Sequence, residues 1–175
     1  LITAIFFLWL AIPHIKAFGL TSVVEETHVQ FEKTTNGNTP ILQGEKVTAR
    51  VQTSEENFGV VLVRFVKVGN GSDTVIFRLK KEGEKNWYYE NKYFGGNFQN
   101  NSYYPFGFKP LANSQNNSYI IEFESFGGTT KNGVRISSVK PQIAYVYTFS
   151  KQNLSDISTL TTFGFKKALY VLSNV

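Results

Sequence analysis

Tyr103-Tyr104-Pro105-Phe106-Gly107-Phe108-Lys109-Pro110-Leu111, a polar connector over 112–117, and Ser118-Tyr119-Ile120-Ile121-Glu122-Phe123 carry the pattern that sets the fold class. Tyr104, Phe106 and Phe108 share one parity of the first run; Tyr119, Ile121 and Phe123 share one parity of the second. Side chains of a strand point alternately to opposite faces, so both sets read as core-facing, with Gly107, Lys109, Ser118 and Glu122 turned away. The pattern predicts a strand, connector, strand unit of a half-buried antiparallel sheet.

Working outward, the same alternation recurs. Val47, Ala49 and Val51 mark a strand over 46–53, and Val75, Phe77 and Leu79 another over 74–81. The run 59–68 is apolar on both faces (Val61, Val63, Phe65 against Val60, Leu62, Val66), which predicts a position in the middle of a sheet. Further strands are expected over 28–33, 87–94, 134–138 and 142–149, with a tight reversal at Asn70-Gly71-Ser72-Asp73 and a hairpin loop at 127–133. About eight or nine strands with no helical period between them predict an all-β, antiparallel two-sheet β-sandwich of the jelly-roll kind.

Composition agrees. The chain has 175 residues, 16 Phe and 9 Tyr, and that aromatic excess suits pleated surfaces. It has no cysteine, so neither a disulfide nor a thiolate metal site holds the fold. The net charge is +5, but Lys and Arg are scattered with no run longer than a pair, which argues against nucleic acid as a partner.

Both ends differ from the middle. Residues 1–12 form an unbroken weakly polar run before Pro13, shorter than the roughly 20 apolar residues of a full span. With no Met in the chain, this run reads as the end of a transmembrane helix that begins upstream, with Trp9, His14 and Lys16 near the interface. A signal-peptide core and a buried helix of the domain are the competing readings. The resulting organisation is a transmembrane helix end or signal anchor over 1–20, a linker with one strand over 21–44, a sandwich over 45–150 and an amphipathic tail over 151–175. In the tail, Ile157, Leu160, Phe163, Phe165, Leu169 and Leu172 recur at roughly helical spacing despite Gly164.

Three runs carry a family resemblance: Asn57-Phe58-Gly59-Val60-Val61-Leu62-Val63-Arg64-Phe65, Thr74-Val75-Ile76-Phe77-Arg78-Leu79, and Tyr104-Pro105-Phe106-Gly107-Phe108-Lys109-Pro110-Leu111-Ala112-Asn113-Ser114. Over about residues 43–150 the chain resembles the extracytoplasmic, carbohydrate-binding-module-like β-sandwich domain of integral membrane proteins from candidate-phylum bacteria, proteins that are often glycosyltransferase-like. Leu111 and Asn113 stand where that family usually has Ile and Asp, which removes a possible cap or ion ligand. The resemblance implies a domain anchored to the membrane and lying outside the cytoplasmic membrane.

Catalysis finds little support. The histidines are His14 and His28, the aspartates Asp73 and Asp156, and no phosphate loop or nucleophile elbow occurs. Glu122 and Glu124 share a strand face and read as a solvated stripe. The loop oxygens form no recognised Ca²⁺ cage, so neither metal nor cofactor is expected. Sequons at Asn70, Asn100, Asn116 and Asn153 matter only in a eukaryotic secretory pathway.

Carbohydrate binding has a clearer basis. Trp87, Tyr89, Tyr93 and Tyr103 offer ring faces for the apolar side of a sugar, and Asn86 and Glu90 offer hydrogen bonds to its hydroxyls. Alternation places Trp87 and Tyr89 on one side and Tyr88 on the other. Aromatics on a sheet usually pack, so for any single residue of this cluster the core is the favoured place. The expectation is a non-catalytic binding module with a cell-surface glycan as partner. A scaffold packed on its own transmembrane region and an accessory domain of a membrane glycosyltransferase are the alternatives.

Overall fold

The computed structural model describes residues 22–27, 29–33, 39–149 and 164–165. Among them run ten strands: β1 (Ser22–Thr27), β2 (Phe31–Lys33), β3 (Lys46–Gln52), β4 (Phe58–Val68), β5 (Thr74–Lys81), β6 (Tyr89–Phe94), β7 (Tyr103–Leu111), β8 (Ser118–Ser125), β9 (Gly133–Ile136) and β10 (Ile143–Thr148). They form two antiparallel sheets. The first has the order β1-β10-β4-β7, with β9 pairing the last four residues of β4; the second has the order β2-β3-β8-β5-β6.

The all-β, two-sheet sandwich expected from the sequence is what these residues form. Strand β4 occupies the middle of its sheet, as its two apolar faces require. Its Val61, Val63 and Phe65 face the second sheet within the main core. Its Leu62 joins Val24, Ala144 and Val146 in a smaller cluster on the opposite face.

The winding differs from the expected hairpins. Strands β7 and β8 belong to different sheets and meet face to face, with the rings of Phe106 and Phe123 centred 5.1 Å apart. Pro105 and Pro110 explain the placement of β7, since a residue without N–H suits an edge strand with a single neighbour. The connector 112–117 is fixed against the other crossing at 53–57. Buried Ser114 donates from Oγ to the Glu55 carbonyl (2.7 Å) and accepts from the Phe58 amide (3.1 Å), and the Thr53 hydroxyl donates to the Ser114 carbonyl.

The reversal at Asn70-Gly71 and the loop 127–133 also cross between sheets and close no hairpin. At the first, Gly69 has φ +63° and an added Cβ would lie 2.6 Å from the Lys131 carbonyl, so only glycine fits there. Asp73 ties the two crossings together, accepting from the Ser125 hydroxyl (2.7 Å) and the Gly127 amide (2.9 Å).

The region read as a linker contributes two edge strands. β1 pairs with β10 from Ser22↔Thr148 to Thr27↔Ile143, and β2 pairs with β3. The run 1–20 and the amphipathic tail from 151 lie outside the described residues, Gly164 and Phe165 excepted. No helix among the described residues is long and apolar enough to cross a membrane.

Phe106 lies at the middle of the core, against Phe65, Phe77, Tyr93, Phe98, Tyr104 and Phe123 at centroid distances from 4.8 to 6.0 Å. Phe106→Ala is expected to cost about 3–5 kcal/mol through lost burial and the cavity left behind. Urea unfolding of this variant beside Lys109→Ala, an exposed neighbour expected within about 0.5 kcal/mol of the parent, checks the assignment.

Candidate functional site

The outward face of the second sheet carries the densest polar chemistry among the described residues. Three strands in register build it. Arg78 on β5 stands opposite Glu90 on β6 and Glu122 on β8, and Ile76 stands opposite Lys92 and Glu124. Because Phe77 and Leu79 point into the core, Arg78 and Lys80 must point out.

Arg78 is the hub. Its Nη1 donates to Glu122 Oε1 (2.7 Å) and to Glu124, and its Nε donates to Glu90. From β3, Lys46 Nζ reaches Glu122 Oε1 at 3.2 Å and Glu124 Oε2 at 3.7 Å. The side chains of Arg78 and Glu122 are only 13% and 9% exposed, so these pairs lie in a medium that screens them weakly. Burial opposes the charge on Arg78, yet the hydrogen bonds it donates to Glu124, Glu90 and Glu122 outweigh that and raise its pKa. The hydrogen bond from Arg78 holds the Glu124 carboxyl below its usual range, against a smaller effect of burial. Glu122 and Glu124 are therefore anchored acceptors and do not form the solvated stripe read from the sequence.

Trp87 lies over this network. The Lys80 ammonium is 4.8 Å from its ring centroid and the Arg78 guanidinium 6.0 Å. The indole is half-buried, with exposed Asn86 beside it in the chain.

Trp87 and Tyr89 do not share a face. Strand β6 begins only at Tyr89, so alternation cannot be carried back to Trp87. Tyr89 turns inward, 6.1 Å from Phe77 and 5.9 Å from Phe108. Tyr93 follows it two strand pairs on, 4.8 Å from Phe106 and 6.0 Å from Tyr104. Their hydroxyls lie 3.1 Å apart. Burial, then the Tyr89 hydroxyl, raises the pKa of Tyr93, which keeps the phenol protonated. Together with Tyr88, which donates to the Lys109 carbonyl (3.0 Å), these tyrosines close the seam between edge strands β6 and β7.

Tyr103 is separate again, on the outward face of the first sheet. The Arg64 guanidinium stacks 3.8 Å from its centroid, and its hydroxyl donates to Glu26 (3.1 Å) and the Pro141 carbonyl (3.2 Å). Burial and the neighbouring Glu26 carboxylate push its pKa up to about 12. Of the six residues singled out in the sequence, Trp87 and Glu90 share Arg78 as a neighbour and Asn86 precedes Trp87 in the chain; Tyr89 and Tyr93 sit in the seam and Tyr103 on the other sheet.

Sequence reading missed Arg78 and Lys46 as organisers of the face. Their alternation was visible, but the order of the strands around them in the sheet was not. Among the described residues, no group of three or more His, Cys, Asp or Glu side chains is arranged to hold a metal ion.

No protein-family model matches the chain, and no curated protein matches it. Among solved structures, it is similar to Xylanase10C from Cellvibrio japonicus in complex with xylopentaose, with 6% identity, 77% of this chain and 28% of that one covered, and a TM-score of 0.41. It is also similar to the carbohydrate-binding module CBM6cm-2 from Cellvibrio mixtus lichenase 5A in complex with cellotriose, with 11% identity, coverage of 75% and 100%, and a TM-score of 0.37. A family 35 carbohydrate-binding module from Clostridium thermocellum gives 10% identity, coverage of 73% and 92%, and a TM-score of 0.32. The chain thus spans about a quarter of the xylanase and nearly all of either module.

The depressed Glu124 pKa fixes a sign. A carboxyl whose folded pKa lies below its unfolded value stabilises the fold fully above the unfolded value, and loses that contribution as pH falls through the folded one. Urea unfolding between pH 7 and pH 3 is expected to show a steeper acid limb for the parent than for Glu124→Gln. Arg78→Met, which leaves Glu122 buried with fewer partners, is expected to cost about 3 kcal/mol at pH 7 in the same assay.

Proposed function

We propose that this chain is a non-catalytic binding module that takes carbohydrate on the outward face of its second sheet. The observation that carries the reading is Trp87, a half-buried indole held over Lys80 and Arg78 beside fixed hydrogen-bonding groups. A pyranose ring has one apolar face and a rim of hydroxyls, so it suits a planar aromatic bordered by donors and acceptors. Asn86 and Lys80 supply donors, and Glu90 supplies an acceptor already oriented by Arg78. The stacked cation holds the indole near one rotamer, which reduces the ordering cost of binding.

Tyr93 and Tyr103 leave the proposed contact set because their rings and hydroxyls are engaged in packing and hydrogen bonds. Tyr89 leaves it for the same reason. Membrane attachment, with the sandwich outside the cytoplasmic membrane and a cell-surface glycan as partner, is the second part of the proposal. It rests on the apolar run 1–12.

Trp9 and Trp87 are the only tryptophans, so Trp9→Phe leaves Trp87 as the single indole reporter. A glycan array followed by fluorescence titration of that variant is expected to find saccharides that shift the Trp87 emission. Trp87→Ala should weaken the array signal roughly tenfold or more, equivalent to about 1.4 kcal/mol, without changing the β-sheet circular dichroism. A folded parent that binds no saccharide overturns the reading.

A further inference from the structure

The same face carries a second aromatic site at its far end. Phe94 on β6 pairs with Thr74 on β5, and the amide of Phe126, just past β8, donates to the Thr74 carbonyl. The three residues therefore form a row across the sheet. Phe94 and Phe126 are 52% and 61% exposed, unlike the phenylalanines of the core. Phe126 also lies under Lys92, whose ammonium is 5.2 Å from its ring centroid, repeating the arrangement of Lys80 over Trp87. Two large rings exposed within one row of a mostly polar face are a candidate contact surface.

From Lys80 beside Trp87 to Thr74 between the phenylalanines, β5 advances six residues, roughly 20 Å, the reach of about four pyranose units in an extended chain. Between the two aromatic ends lie Glu90, Arg78, Glu122 and Glu124, whose charges are largely matched by one another and by Lys46. With Lys80 and Lys92 over the two rings, this face sets four cations against three carboxylates, and that near balance of charge suits an uncharged polyhydroxyl chain.

We infer that the outward face of the second sheet is an extended site for a linear neutral oligosaccharide of about four units running along β5, stacked on Trp87 at one end and on Phe126 with Phe94 at the other. This rests on the carbohydrate reading above and adds its length, direction and second platform.

The test is calorimetric titration of the full chain with β-1,4-linked gluco-, xylo- and manno-oligosaccharides of two to six units. Affinity for the series that binds is expected to rise steeply up to about four units and then level off. Phe126→Ala should lower affinity for the tetrasaccharide roughly tenfold while leaving the disaccharide unchanged, and Trp87→Ala should lower both. Phe126 is exposed, so its removal is expected to leave the melting temperature as it is. Binding that levels off at two units, or is indifferent to Phe126→Ala and Phe94→Ala, overturns the extended site and leaves the Trp87 site standing. Absence of binding across all three series and the array overturns both.

Discussion

Interlocking aromatic rings between the two sheets are the constraint on which the rest of the structure depends. Phe58, Phe65 and Phe106 from the first sheet meet Phe77, Tyr119 and Phe123 from the second, edge to face or tilted, with no cysteine to assist them. Rings so arranged gain both burial and favourable quadrupole geometry. They also fix the separation of the sheets and the rotation of each strand about its axis.

That packing determines what each outward face can present. Once Phe77 and Leu79 face inward, Arg78 and Lys80 must face outward, and the flanking registers deliver Glu90, Glu122 and Glu124 to the same guanidinium. The tyrosines of β6 are drawn inward for the same reason and seal an edge where the sandwich would otherwise admit water. Among the described residues of this sheet, the rings left open to solvent therefore stand at or just beyond strand ends: Tyr88, Phe94 and Phe126, with the half-buried Trp87.

Period-two alternation explains how much of this could be read from the sequence. It located β3, β4, β5, β8 and β10 to within a residue or two, because each buries a full parity set. It missed β1, where Ser22-Val23-Val24-Glu25 does not alternate, and it failed at Trp87, where it was extended past the start of a strand. Partners were hidden altogether. Asn70-Gly71 and the glycine-rich run at 127–133 have turn chemistry that a hairpin and a crossing use equally, so sheet membership depended on long-range packing that no local pattern contains. The hub role of Arg78 was hidden for the same reason.

The winding also shapes how the chain reaches this state. Only β2–β3 and β5–β6 pair with their neighbours in sequence; β1 waits for β10, and β4 waits for β7, β9 and β10. Contacts so distant along the chain require large loops to close before they are rewarded, which places this sandwich among slow folders. During synthesis β4 emerges apolar on both faces, long before Ile143–Thr148 exists to cover one edge. A nascent chain in that condition carries a strand that is apolar on both faces and unpaired, the kind of edge that favours association between chains, until the later strands are made.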